Sequence, residues 1–206
     1  MNLITCVAQA QTAFKDTNGK YGLKDDTGKI IIAGKYNDIE AFANDLAAVS
    51  LNGKWGFIDS TGKEIIAIKY NKVDFFMNGL AIVSLNGHRI YIDKTGKEVV
   101  KPVKAYDEMY TFTEGMAVVE SNGKYGFINK AGKEVISLKY RFALPFTNGL
   151  AAVALNGKWG FINKMGKVII PIKYDDASSF DPETHWAYVT LNGKEFYIDK
   201  TGKEIQ

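Results

Sequence analysis

The sequence predicts an all-β protein built from six tandem three-stranded antiparallel meanders, and three observations carry that expectation. An Asn-Gly pair recurs at Asn18-Gly19, Asn52-Gly53, Asn86-Gly87, Asn122-Gly123, Asn156-Gly157 and Asn192-Gly193, at intervals of 34, 34, 36, 34 and 36 residues. Nine residues after each of those glycines stands a Gly-Lys pair: Gly28-Lys29, Gly62-Lys63, Gly96-Lys97, Gly132-Lys133, Gly166-Lys167 and Gly202-Lys203. The 20 glycines, 13% aromatic residues and 4 prolines suit a turn-rich β chain, and almost no helical period is present. A fixed period of this length marks a repeat architecture.

The first element of each unit is a hairpin. In Leu46-Ala47-Ala48-Val49-Ser50-Leu51-Asn52-Gly53-Lys54-Trp55-Gly56-Phe57-Ile58-Asp59, two β-prone runs flank Asn-Gly. Both central residues of a type I′ turn need positive φ, which Asn and Gly supply. A two-residue loop pairs Leu51 with Lys54, Ser50 with Trp55, Val49 with Gly56, Ala48 with Phe57 and Ala47 with Ile58. One face then carries Ala47, Val49 and Ile58; the other carries Trp55 and Phe57 over Ala48 and Ser50. Two apolar faces suit a layer held between neighbouring layers.

The second turn, Asp59-Ser60-Thr61-Gly62-Lys63, opens on a residue that bonds its own backbone and closes on a glycine for the left-handed position. A third strand follows, Glu64 to Tyr70, with counterparts at Lys29 to Tyr36, Glu98 to Tyr106, Glu134 to Tyr140 and Val168 to Tyr174. Six residues beyond each tyrosine stands Phe42, Phe76, Phe112, Phe146 or Phe180, which anchors the connection to the next unit. Gly22, Gly56, Gly126 and Gly160 interrupt the central strand, where glycine is tolerated only if something needs the space. The expected cover is a side chain from an adjacent layer.

Units three and six depart together, with Arg89-Ile90 and Glu195-Phe196 at the aromatic-Gly positions. This pattern predicts a duplicated block of three units, divided as 12–115 and 116–206, within a single array over 12–206. The preferred arrangement is an open, twisted solenoid-like array stabilised by neighbouring units. The alternative is a closed propeller-like ring, which normally has four strands per blade.

Composition narrows the function classes. The net charge is +3, and Arg89 and Arg141 are the only arginines, an arrangement unlike that of proteins reading nucleic acid through bidentate Arg. Cys6 is the only cysteine, which excludes an intramolecular disulfide and a cysteine-based zinc site. No apolar run reaches membrane-spanning length. Residues 1–11 end in Ala8-Gln9-Ala10-Gln11, the small-residue pattern of a signal-peptidase site, and place the protein outside the cytoplasm, whether periplasmic, at the cell surface or secreted. The competing reading of this segment is an edge strand.

The search for chemistry yields surfaces and no catalytic centre. His88 and His185 lack partners at triad or metal spacing, and no Gly-x-Ser-x-Gly elbow is present. The 175–185 loop carries Asp176, Asp181, Glu183 and His185; it is weighed as a cation or enzyme site and read first as a solvated turn. In-register stacking would make two lysine rows. One contains Lys54 and Lys158, and the other runs from Lys29 to Lys203. Against an anion-binding role, edge lysines also discourage sheet aggregation. The residues singled out for a ligand or partner surface are Tyr21, Lys54, Trp55, Tyr125, Lys158, Trp159, His185 and Trp186.

The segments Lys54-Trp55-Gly56-Phe57-Ile58-Asp59 and Lys158-Trp159-Gly160-Phe161-Ile162-Asn163, with Lys20-Tyr21-Gly22 and Lys124-Tyr125-Gly126 as variants, resemble the WG-repeat family of bacterial proteins. The likeness covers roughly residues 13 to 206 and fails at Arg89-Ile90 and Glu195-Phe196. It implies a repeat array and carries over no catalytic residue, cofactor or metal. The expected function is a non-enzymatic binding or scaffolding module that contacts a protein or cell-envelope polymer through a broad surface, without nucleic acid or membrane insertion. The alternatives are a carbohydrate-binding module using exposed aromatics and an enzyme with its site in the 175–185 loop.

Overall fold

From the second unit on, the Asn-Gly hairpins close in the predicted register; in the first, the loop runs from Asp16 to Lys20, Lys15 pairs with Tyr21, and the turn takes the form of the Asp-led second turns instead. In the computed structural model, which describes residues 11–205, Asn52 and Gly53 have φ of 51° and 75°. Leu51 pairs with Lys54, Ser50 with Trp55, Val49 with Gly56, Ala48 with Phe57 and Ala47 with Ile58. Residues 1–10, Cys6 included, lie outside the described residues, so the leader reading falls there except at Gln11.

Among the described residues the chain is all-β and forms six antiparallel sheets in chain order, none closed into a barrel. The second sheet shows the plan. A two-residue lead strand, Asp38–Ile39, precedes the hairpin Leu46–Leu51 and Lys54–Asp59, and a closing strand, Glu64–Tyr70, follows it. The predicted three-stranded meander is thus extended by a short fourth strand at one edge. Sheets three, four and five repeat this four-stranded order. The first sheet comprises Thr12–Lys15, Tyr21–Lys24 and Ile30–Tyr36, and the sixth comprises Asp176–Ala177, Ala187–Leu191 and Lys194–Ile198. Beyond Lys194–Ile198 the sixth sheet adds only an Ile198–Glu204 bridge and an Ile205 N–H donating to the Tyr197 carbonyl.

The chain divides into two compact units, one ending at Val99 and the other beginning at Val100. Within each unit, successive sheets press face to face. In the first unit, Leu23 and Tyr36 of sheet one meet Ile39, Val49 and Ile58 of sheet two. The opposite face of sheet two places Phe57, Ile66 and Tyr70 against Phe76, Val83 and Ile92 of sheet three. The second unit repeats this from sheet four to five, with Phe127, Ile136 and Tyr140 against Phe146, Val153 and Ile162. Sheet five then covers sheet six in the same way. Three of the five connecting phenylalanines seat on the central-strand phenylalanine of the preceding sheet: Phe57–Phe76, Phe127–Phe146 and Phe161–Phe180 have ring centroids 5.0, 4.8 and 4.9 Å apart. The tyrosine and phenylalanine series are therefore inter-sheet core, where large rings bury the most apolar area per residue.

Several expectations need correction. The central-strand glycines are covered by the backbone of their own closing strand, not by a side chain from an adjacent layer. Trp55 pairs with Tyr70 and Phe57 with Ile66, so the segment 67–69 arches over the single residue Gly56. A Cβ at Gly56 would lie 2.5 Å from the Ile66 carbonyl oxygen, and one at Gly126 would lie 2.5 Å from that of Ile136. The third strand of unit three stops at Val100 and does not run to Tyr106. Pro102 has no N–H for the ladder, and two extra residues precede Tyr106 relative to the other units. Ile90 and Phe196 stand in the two sheets without the full closing strand: it stops at Val100 in sheet three and is missing from sheet six among the described residues. Finally, the connection contains a third tight turn that periodicity did not reveal. Asn44-Asp45, Asn78-Gly79, Glu114-Gly115 and Asn148-Gly149 all have positive φ, and Ala43 and Leu46 exchange backbone hydrogen bonds of 2.9 and 3.3 Å across the first of them.

Candidate functional site

Every sheet from the second onward carries a row of three paired residues near its Asn-Gly end. The rows read Asp38–Ser50–Trp55, Lys72–Ser84–Arg89, Glu108–Glu120–Tyr125, Phe142–Ala154–Trp159 and Asp176–Thr190–Glu195. Cross-strand partners lie on one face, so the first and third residues flank the second. Only the fifth sheet places an aromatic residue on both sides. Small Ala154, fully covered, leaves room for the Phe142 and Trp159 rings at a centroid distance of 6.2 Å and an interplanar angle of 11°.

Phe142 also reaches back to the fourth sheet. Its ring lies 5.9 Å from that of Tyr125, so Tyr125, Phe142 and Trp159 form one aromatic strip across two sheets. The chain gets there in two residues: the closing strand of sheet four ends at Tyr140, and the lead strand of sheet five begins at Phe142. Phe142 is 47% exposed and stands in a position that is charged in the other four sheets. Arg141 lies over its outer face, with the guanidinium carbon 5.3 Å from the ring centroid. Tyr110, Leu144 and Pro145 complete a groove of about 360 Å³. Burial, followed by a hydrogen bond with Tyr125, raises the Tyr110 hydroxyl pKa above its usual value. The two phenols are thus engaged with each other.

The structure brings together Tyr125 and Trp159 from the predicted surface and separates the rest. Trp159 is half-buried, with part of its surface on the core between sheets five and six. Trp55 is half-buried against the core between sheets two and three and pairs with Tyr70. Tyr21 packs on the core between sheets one and two beneath the Lys15 ammonium. Lys54 is half-buried. Lys158 is exposed and ion-paired with Asp175, which also accepts the Asn192 N–H. Elsewhere among the lysines, Lys194 pairs with Glu204 at 2.8 Å and Lys104 with Glu134 at 2.7 Å.

His185 has a φ of 62° and donates its N–H to the Asp181 carbonyl, closing the loop before exposed Trp186. One Asp181 carboxylate oxygen accepts the N–H groups of Thr184 at 2.7 Å and Glu183 at 3.1 Å, and these bonds, with the Thr184 hydroxyl, depress its pKa. That carboxylate holds the turn. Among the described residues no group of three or more His, Cys, Asp or Glu side chains is arranged to hold a metal ion, and no helix is long and apolar enough to cross a membrane. Phe142 and Tyr110 were missed by sequence reasoning because that reasoning followed the repeated positions. The available signal was the failure of repetition at residue 142.

The description of the WG containing repeat matches residues 21–55, 55–87, 91–125, 125–159 and 159–194. A comparison with curated protein sequences returns no match. Among solved structures, the fold is similar to that of a eukaryotic initiation factor, at a TM-score of 0.55 and 14% identity over 96% of this chain. Hsv2 of Kluyveromyces lactis gives a TM-score of 0.49 at 10% identity over 79% of this chain. An extracellular domain of a hybrid two component system from B. thetaiotaomicron gives 0.46 at 13% identity over 94%. The chain spans 63%, 58% and 34% of the lengths of these three structures. At such identities the likeness concerns the fold alone.

Proposed function

We propose that this chain, which belongs to the WG-repeat family, is a non-enzymatic binding module that holds an extended apolar peptide segment of a partner protein in the groove along Tyr125, Phe142 and Trp159. The observation that carries this reading is Phe142: a position charged in the other four sheets becomes an exposed phenylalanine here and joins two aromatic side chains into one strip.

Aromatic-lined grooves accept proline-rich segments because their preformed extended helix loses little conformational entropy on docking, and apolar side chains add buried area against the flat rings. The groove offers few hydrogen-bonding groups, and two of them, the Tyr110 and Tyr125 phenols, bond to each other. A sugar at this site would leave hydroxyls without partners. Arg141 at the margin favours a carboxylate beside the apolar residues of the peptide. The Ala8-Gln9-Ala10 pattern supports a setting outside the cytoplasm.

A displayed peptide library selected on the wild-type protein tests the reading. Enriched peptides carrying apolar or proline residues with an adjacent acid, and losing affinity for Phe142→Lys at least about tenfold, support it. Failure to enrich any peptide, or equal binding to both proteins, contradicts it.

A further inference from the structure

In sheets two, four and five one face is sealed by the sheet that follows. Its residues are Leu46, Ala48 and Phe57 in sheet two, Met116, Val118 and Phe127 in sheet four, and Leu150, Ala152 and Phe161 in sheet five. These are purely apolar, as a dry sheet-to-sheet contact requires. The same register in sheet six holds Trp186, Tyr188 and Tyr197: Tyr188 pairs with Tyr197 where Ala152 pairs with Phe161 in sheet five. The sheet-six face is open. Trp186 is 41% exposed and Tyr197 is 52% exposed.

The replacements keep broad ring surface and add polar edges. Trp186 and Tyr197 lie 6.4 Å apart by ring centroid, and Tyr188 meets Tyr197 edge to face at 5.7 Å. Glu195, on the same face, bonds the Tyr188 hydroxyl. Ser178 fixes one border by accepting the Tyr188 N–H at 2.9 Å, and the Asp181 turn fixes the other. Together they frame a shallow concavity of about 830 Å³, within the range of small-molecule sites.

We propose that this face of the sixth sheet is a binding site for a neutral glycan. Ring faces accept the C–H faces of a pyranose, while phenol, indole N–H and carboxylate groups at the edges meet its hydroxyls. A packed protein sheet is the poorer occupant, because it would bury the phenols and Glu195 against apolar side chains and leave them short of partners. The inference is independent of the groove at Phe142, which lies on another sheet pair.

The test is titration of the whole chain with soluble six-unit oligosaccharides of β-1,4-glucose, β-1,3-glucose and β-1,4-N-acetylglucosamine, followed by calorimetry and the Trp186 indole N–H signal. At least one is expected to bind and to shift that signal. Trp186→Ala should weaken binding at least about tenfold, and Tyr197→Phe, which removes one hydroxyl and keeps the ring, about three- to tenfold. Phe142→Ala should leave glycan binding unchanged. The proposal is overturned if none of the three binds at about 1 mM, near the weak limit of specific recognition. It is equally overturned if binding survives both sheet-six variants, or if Trp186→Ala converts a dimer to a monomer in sedimentation, which would make the face a contact between copies.

Discussion

The backbone carbonyl of Ile66 lies directly over Gly56, at 2.5 Å from where a Cβ would stand. The neighbouring Ala67 carbonyl carbon is 2.8 Å away, so neither obstacle is a flexible side-chain tip. Gly56→Ala therefore has to move the closing strand of sheet two, and with it Ile66, which sits in the core. Overpacking typically costs about 1–3 kcal/mol, and a backbone obstacle that cannot swing away puts this case at the upper end. Gly53→Ala is the control: at φ 75° with nothing within 4 Å, it carries only the left-handed penalty of about 1–2 kcal/mol. Urea denaturation should rank Gly56→Ala well below Gly53→Ala; equal midpoints would deny the arch.

Stacking between sheets predicts coupling at the ring pairs. Phe57→Ala should cost about 3–5 kcal/mol, as for other buried phenylalanines. A double-mutant cycle of Phe57 with Phe76, whose rings meet at 5.0 Å and 64°, should show a coupling of about 0.5–1.5 kcal/mol. Phe57 and Phe161, which belong to different ring pairs, should be additive within about 0.5 kcal/mol.

The second turns make acid stability uneven along the chain. At Asp59 the Thr61 hydroxyl, at 2.6 Å, and the N–H groups of Lys63 and Thr61 hold the carboxyl below its usual 3.8. Asp25, Asp93 and Asp199 are lowered in the same way, the threonine hydroxyl contributing most. A folded pKa below the unfolded one gives stability that is fully present above the unfolded value and is lost as pH falls through the folded value. Asn129 and Asn163 fill this position in the other two turns and do not titrate. Carboxyl-carbon NMR should find the Asp25, Asp59, Asp93 and Asp199 midpoints below 3.8, and Asp59→Asn should remove its own while keeping the turn.

Replacing the exposed phenylalanine should separate binding from folding. Phe142→Lys copies the residue found at this position in sheet three and should change stability by no more than about 1 kcal/mol, the scale of a partly exposed ring contact. A thermal melt checks this; a much larger loss would make Phe142 part of the fold alone.

What the sequence revealed and what it concealed follow from how local each feature is. Asn52-Gly53 set the hairpin register because the turn and its pairing lie within a few residues, so the two faces of Leu46–Leu51 were readable in advance. The arch over Gly56 was not, because it depends on where Tyr70 pairs after the bulge, a choice made by sheet packing. The third turn hid because its residues vary, from Asn44-Asp45 to Glu114-Gly115, while their φ values stay positive. Tyr125 and Trp159 were visible as aromatic residues at repeated positions. Phe142 was not, because a search for what recurs passes over the copy that differs.

The most direct measurement follows the indole N–H signals of Trp55, Trp159 and Trp186, the chain's three tryptophans, while a library-selected peptide is titrated into labelled protein. If one exposed phenylalanine converts a structural repeat into a binding surface, the Trp159 signal moves with peptide concentration, the other two stay in place, and Phe142→Lys abolishes the shift. Movement of Trp55 or Trp186 with Trp159 unchanged would place the binding surface elsewhere and contradict the account.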